Sequence, residues 1–173
     1  CIIGNPPFNI NGSSKTPTNK KLQKNLDGKN AWCSFIKHSI SLLKPNGLLA
    51  FITPSIWMKN DYFFHKFMKQ YEILKIITLD NTQTNKAFHG NAQTPTSMFL
   101  LQNKPSTHKT LLWDNIHQTY IPFDYSNCSI PLCYASIINK FKPYVTKYGS
   151  IKVIKTSMRP GYKGLIIGPI LNG

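Results

Sequence analysis

Cys1-Ile2-Ile3-Gly4-Asn5-Pro6-Pro7-Phe8 is the stretch on which the reading of this chain turns. Its short apolar run, Cys1-Ile2-Ile3-Gly4, reads as a strand. Directly behind it come an amide, two rigid prolines and an aromatic ring. In open α/β sheets ligands bind just outside the carboxyl ends of strands, so a polar, stiff and aromatic motif at that place reads as a catalytic loop. Asn and Pro are also favoured turn residues, and what separates an active loop from a plain turn is the pattern around it.

Residues 9–30 are rich in Asn, Ser, Thr, Lys and Gly with few apolar groups, which describes a polar loop. Lys15, Lys20, Lys21 and Lys24 would suit a flap over a phosphate backbone; the same composition also fits a solvated insertion. From Ala31 the period becomes helical, with Trp32, Phe35, Ile36, Ile40 and Leu43 on one stripe until Lys44-Pro45-Asn46-Gly47 stops it. Leu48 to Thr53 then reads as a buried strand of the parallel kind. Strand, helix and strand make a βαβ unit whose two strand ends share one edge.

After Pro54 the spacing predicts a second helix from Asp61, capped by Asn60, with Phe64, Phe67, Met68 and Tyr71 on its core face. Ile73 to Leu79 and Thr96 to Leu101 read as strands. The turn-rich segment between them, Asp80 to Pro95, holds Phe88-His89-Gly90, which either faces the site or turns the chain. Beyond Asn103 the pattern is broken by Pro105, Pro122, Pro131 and Pro143, and Tyr134 to Phe141 reads as a short helix. The last stretch, with Gly161, Gly164, Gly168, Pro169 and Gly173, has no periodicity. The expected division is therefore 1–103 and 104–173.

Lys and Arg number 21 against 6 Asp and Glu, a formal charge of +15. Such a field attracts a polyanion, and nucleic acid is the leading partner. Arg159 is the only arginine, so the remaining positive charges are lysines, point contacts for phosphate that carry no base information. An AT-rich coding sequence would also inflate Lys, Asn and Ile, leaving the lysines merely solvated. Cys1, Cys33, Cys128 and Cys133 form no CxxC pair and no histidine stands at metal-ligand spacing to them. No metal site is expected, and the cysteines read as reduced thiols of an intracellular protein. No apolar run approaches the ~20 residues that cross a bilayer. Because the first strand is already running at Ile2, the chain reads as the interior of a longer protein whose earlier strands lie upstream.

The motif suits one kind of chemistry. An exocyclic aromatic amine is a poor nucleophile because its lone pair is delocalised into the ring. If the side-chain oxygen of Asn5 and the carbonyl of Pro6 each accept one N–H of an –NH2 group, the nitrogen moves toward tetrahedral geometry and its lone pair is aimed at an electrophile. Proline keeps that arrangement stiff, since its φ is fixed and it has no N–H of its own. Phe8 supplies a platform for a planar base, worth about 1–3 kcal/mol per stacked base, against the few kcal/mol of extruding one from a duplex.

Ile2 to Phe8, the helix end Leu42-Leu43-Lys44-Pro45-Asn46-Gly47, and the strand Leu48 to Thr53 followed by Pro54 together resemble the S-adenosylmethionine-dependent amino-methyltransferases. Within these, the similarity is to adenine-N6 DNA methyltransferases of restriction-modification type, and it covers residues 1 to about 103. Gly90 to Leu101 also resembles a segment that precedes the target-recognition region in the large type II enzymes. The resemblance implies an α/β fold, the C-terminal half of a Rossmann-like methyltransferase sheet. Asn5 to Phe8 would end its fourth strand, Leu48 to Thr53 would be the fifth, and the last two strands would form an antiparallel edge. Residues 104–173 would begin the target-recognition region.

The implied cofactor is S-adenosylmethionine, the implied partner DNA with an adenine-containing site, and a restriction endonuclease would be fused or associated. A cytoplasmic, nucleoid-associated location follows. By the same resemblance Asn5 and Pro6 bind the target amino group, Phe8 stacks on the flipped adenine and Pro7 holds the loop. The family binds its cofactor through a glycine-rich loop after the first strand and an acidic residue after the second, and neither is present in this sequence. The cofactor-binding residues are therefore expected upstream, and the chain alone is expected to be inactive. A permuted order would place them downstream, but residues 161–173 show no aromatic-Gly-x-Gly pattern. The same tetrapeptide also serves enzymes that methylate a ribosomal RNA base or the glutamine of a translation factor, and a non-catalytic nucleic-acid-binding remnant is the competing reading from another class.

Overall fold

In the computed structural model, β1 (Ile2–Gly4) lies parallel to β2 (Leu48–Pro54), with Ile2 opposite Leu49 and Gly4 opposite Phe51. The structure describes residues 1–9, 30–90, 92 and 94–149. The loop carrying Lys15, Lys20, Lys21 and Lys24, and the stretch with Arg159 and Gly161 to Gly173, lie outside the described residues. Helix α1 (Ala31–Leu42) joins the two strands as the sequence predicts, burying Trp32, Cys33, Ile36 and Ile40. Phe35 departs from the expected stripe and is 49% exposed. At about 100° per residue it sits on the flank of the arc centred between Trp32 and Ile40, so it turns to solvent.

The turn after α1 forms where the sequence places it. Asn46 adopts φ 62° and the Gly47 N–H donates to the Lys44 carbonyl at 2.9 Å. A Cβ on Gly47 would stand 2.9 Å from that carbonyl oxygen, so only glycine fits. Asn103 seals the turn from across the sheet: its N–H donates to the Gly47 carbonyl at 2.9 Å, and its Nδ2 donates to the Leu43 carbonyl at 3.0 Å.

The segment after β2 differs from its expected form. In place of a helix from Asp61 there is a 3-10 turn at Ser55–Met58, and then α2, a single turn at His65–Met68. Consecutive rings explain this. Tyr62, Phe63 and Phe64 all engage aromatic partners, with Tyr62 and Phe63 4.6 Å apart and Phe64 packed edge-on against Trp32 at 5.3 Å. A helix would turn at least one of three successive side chains away from the core. Asn60 caps no helix; its backbone N–H donates to Ser129 Oγ and its Oδ1 accepts from the same hydroxyl. Tyr71, expected on the helix, opens β3 (Tyr71–Leu79).

The segment that reads as turn-rich contains one further helix, and the strand after it is longer than expected. Asn81–Ala87 is a helix, α3, and β4 (Thr96–Pro105) runs past the expected end at Leu101. After Asn103 the chain adds a hairpin, β5 (Lys109–Asp114) and β6 (Thr119–Asp124), then α4 (Ala135–Tyr148) with Pro143 inside it. Among the described residues the strands form one mixed six-stranded sheet in the order β1-β2-β4-β3-β5-β6. The antiparallel β4 thus lies between β2 and β3 rather than at an edge, hydrogen-bonded on both sides. Its burial on both neighbours suits the unbroken apolar run Met98 to Leu101. β1 occupies one edge, where Ile3 is 80% exposed.

The core holds Trp32, Ile36, Leu49, Trp57, Phe64, Ile73, Ile76, Leu101 and Phe123, all almost fully buried. Trp57 carries its polar atom inward and satisfies it, Nε1 donating to Ser97 Oγ at 2.9 Å. By compactness the chain divides into Cys1–Lys140 and Phe141–Gly173, so the β5-β6 hairpin extends the same sheet as the strands before residue 103.

Candidate active site at the carboxyl edge

Strand directions fix where the loop lies. β1 is parallel to β2, β4 is antiparallel to both β2 and β3, and β3 is parallel to β5. The carboxyl ends of β1, β2, β3 and β5 therefore share one edge, and Asn5 to Phe8 stands at its β1 end. Gly4 lets the strand pass close over Phe51, whose ring carbon would lie 3.2 Å from a Cβ. Pro6 is buried while Asn5 and Pro7 are exposed. One proline anchors the loop and the amide beside it faces solvent, where a ligand can reach it.

Phe8, half-buried, does not stand alone. Its ring meets Phe88 edge-to-face, centroids 6.1 Å apart and planes at 62°. Phe88 arrives there on α3. That helix starts from the end of β3 with a reciprocal cap: the Gln83 N–H donates to Asp80 Oδ1 at 2.7 Å and the Asp80 N–H donates to Gln83 Oε1 at 3.0 Å. Thr84 ties it to the start of β4 through a buried hydroxyl contact with Thr96 at 3.0 Å. The far end closes with His89 at φ 50° and Gly90 at φ 85°, the Gly90 N–H donating to the Asn85 carbonyl at 2.8 Å.

From β3 to β1 is three strand spacings, about 14 Å, and a helix of seven residues covers about 10 Å of it. Phe88-His89-Gly90 thus does both things the sequence left open: the phenyl ring packs on the motif and the next two residues turn the chain. The Asp80-x-x-Gln83 spacing was the signal that could have revealed α3.

Farther along the same edge, a cleft of about 360 Å³ at the ends of β3 and β5 is lined by Asp80, Asn81, Gln83, Asn115, Cys133 and Tyr134. Burial, with Asp80 and Asp114 nearby, pushes the Cys133 thiol above its ordinary pKa, which keeps it protonated and unreactive. Asp114 is buried yet held below the usual carboxylate range. Burial pushes it up, but the His117 imidazole and the N–H groups of Ser136 and His117 outweigh that. Its Oδ1 also accepts from Ser136 Oγ at 3.0 Å, so this one carboxylate fastens the β5-β6 turn to the start of α4. Among the described residues no group of three or more His, Cys, Asp or Glu could hold a metal ion, and no helix is long and apolar enough to cross a membrane.

A model of the Eco57I restriction-modification methylase family matches residues 1–88, from β1 to the ring of Phe88. Among solved structures, a type I restriction-modification system is similar over 64% of this chain and 22% of that chain, at 16% identity and a TM-score of 0.44. A protein described as a modification subunit of a type I restriction enzyme from Vibrio vulnificus matches 85% of this chain and 31% of that one, at 12% identity and a TM-score of 0.44. A protein described as a class I S-adenosylmethionine-dependent methyltransferase from Listeria monocytogenes matches 49% and 26%, at 25% identity and a TM-score of 0.37. The chain spans less than a third of the length of each of these three.

Proposed function

The chain belongs to the Eco57I restriction-modification methylase family, and from that membership we propose that the whole protein transfers a methyl group from S-adenosylmethionine to the exocyclic N6 amino group of adenine in DNA, on a base flipped out of the duplex. The observation that carries this reading is the exposed Asn5 beside a buried Pro6 at the carboxyl end of β1, with Phe8 held against Phe88. In it, Asn5 Oδ1 and the Pro6 carbonyl accept the two amino N–H groups and orient the nitrogen lone pair. Pro7 keeps the loop rigid, Phe8 stacks on the base, and Phe88 positions Phe8. The +15 charge supplies sequence-independent attraction to the DNA backbone.

The donor's pocket is a different matter. Among the described residues no glycine-rich turn follows a strand: β1 runs into Asn5-Pro6, β2 into Ser55, and β3 into Asp80, whose carboxylate caps α3. These residues do not fit the donor. In this reading the donor site belongs to other strands of the whole protein, the chain alone is inactive, residues 104–173 begin a target-recognition region, and a restriction endonuclease is fused or associated. The protein acts in the cytoplasm at the nucleoid.

The test is transfer of labelled methyl from S-adenosylmethionine to DNA by the whole protein, followed by digestion to nucleosides. N6-methyladenine as the product, lost in Asn5→Ala with donor binding retained, is the expected result. Methylated cytosine, or label in RNA or protein instead of DNA, would overturn the substrate assignment; full turnover by Asn5→Ala would overturn the mechanism.

A further inference from the structure

Helix α4 (Ala135–Tyr148) is anchored by its polar side. Its buried residues are Ala135 and Ser136. Ser136 donates through its N–H and Oγ to Asp114 Oδ1, and Asn139 Nδ2 donates to the Pro122 carbonyl at 3.1 Å. The large apolar side chains lie elsewhere on the helix. Ile137, Ile138, Phe141, Tyr144, Val145 and Tyr148 are between 38% and 71% exposed, and at about 100° per residue they fall within one arc of about 120°. Lys140, Lys142, Thr146 and Lys147 lie outside that arc. An amphipathic helix ordinarily turns such a stripe to a core, whereas here the stripe is open. Single exposed apolar residues are common, but a contiguous set on one face marks a contact surface.

The end of the helix selects what comes next to that surface. Gly149 stands at φ 81°, a left-handed conformation that glycine takes without strain, and its N–H donates to the Val145 carbonyl at 2.9 Å. This single bond is the αL form of helix end, which stops the helix and turns the chain off its axis. The sequence then reads Ser150-Ile151-Lys152-Val153-Ile154-Lys155, outside the described residues. Three apolar residues thus follow within five positions of the turn. Phe141 to Tyr148 covers about 10 Å along the helix, and four residues of extended chain reach about 13 Å, so Ile151 to Ile154 is long enough to lie along the second half of the stripe. By compactness that half falls in one unit with the chain after it.

We propose that Ile151, Val153 and Ile154 pack on Phe141, Tyr144, Val145 and Tyr148, so that the apolar face of α4 is the docking surface for the chain's own next segment. A segment tied to the helix by two residues is present at an effective concentration in the millimolar range, an advantage that no separate molecule has. Charge disfavours the other occupants. Helix α4 carries Lys140, Lys142 and Lys147 and no acidic residue, and the chain as a whole carries +15, so a second copy approaches against its own field. A nucleic-acid backbone is drawn to lysines, but an apolar arc offers a phosphate oxygen no donor. The contact sets the course on which the chain leaves α4.

The test places a photoreactive benzoylphenylalanine at Tyr144 of the whole protein, an exposed position that already holds a ring, and identifies the cross-linked peptide by mass spectrometry. Cross-links to residues 150–155 of the same chain are expected. Ile151→Asp combined with Ile154→Asp should lower their yield about ten-fold or more, because a carboxylate is not buried against rings without a partner; Lys152→Gln should leave the yield as it is. Cross-links that go instead to a second copy, to added DNA or to a distant part of the same chain would overturn the assignment, as would the absence of any cross-link. Circular dichroism and melting establish that each variant is folded, and if the double variant is not, the cross-linked peptide from Tyr144 decides alone. No methyl transfer is read, so the docking and the proposed activity can fail separately.

Discussion

The Asn5 loop and the cleft lined by His65, Lys69 and Ser126 stand at opposite ends of the strands of one sheet and are built in opposite ways. The loop is contiguous: amide, prolines and ring follow one another from Asn5 to Phe8 at the end of β1. The cleft joins His65, Lys66 and Lys69 to Ser126 and Asn127, and no spacing in the sequence announces that union. A site carried on one loop depends on backbone conformation that is set locally. A site shared by two segments depends on every contact that brings them together, so the two should respond differently to the same perturbation.

The largest effect separates them at once. Asn5→Ala removes a hydrogen-bond acceptor aimed at the reacting nitrogen, and removal of one such group costs about 10²–10³ in rate; the methyl-transfer assay should show that loss while the melting temperature is unchanged. A fall in both would mean that the loop supports the fold rather than the chemistry. Next, Phe8→Ala should weaken retention of an extrahelical base by about 1–3 kcal/mol, read as a diminished 2-aminopurine fluorescence rise on DNA binding. An undiminished rise would show that Phe8 is no stacking platform.

Smaller again is Asp80→Ala. Loss of the α3 cap should cost about 1 kcal/mol in urea unfolding and, through Phe88, lower base retention slightly without touching the His65 cleft. The smallest effect is on pH. The His65 pKa in the folded chain lies below its ordinary 6.5, so the unfolded chain takes up the proton first as pH falls. Stability conferred by neutral His65 is complete above about 6.5 and declines below it. Melting temperature against pH should show that decline, absent in His65→Gln. A decline of equal size in His65→Gln would place the titration elsewhere.

Legibility follows the same contrast. The βαβ unit was readable because Trp32, Ile36 and Ile40 repeat at helical spacing and Leu48 to Thr53 is an unbroken apolar run. The stripe Phe64, Phe67, Met68 and Tyr71 has equally good helical spacing and yields one helical turn. There the rings at Tyr62, Phe63 and Phe64 all find partners in the core, and tertiary packing overrides the period. The α3 cap was present in Asp80 and Gln83, but seven residues of Asn, Thr, Gln, Lys and Ala bear no apolar stripe to mark a helix.

By itself, then, the sequence determined the parallel β1-β2 pair, the turn at Asn46-Gly47 and the exposed amide at the end of β1, because each rests on neighbours in the chain and on backbone preferences that act within a few residues. Tertiary structure alone decided that β4 runs between β2 and β3, that the β5-β6 hairpin extends the sheet, that Phe88 reaches Phe8, and that His65 is buried with one nitrogen unpartnered. Those outcomes depend on which distant surfaces exclude water together, and that energy belongs to pairs of segments rather than to any one of them.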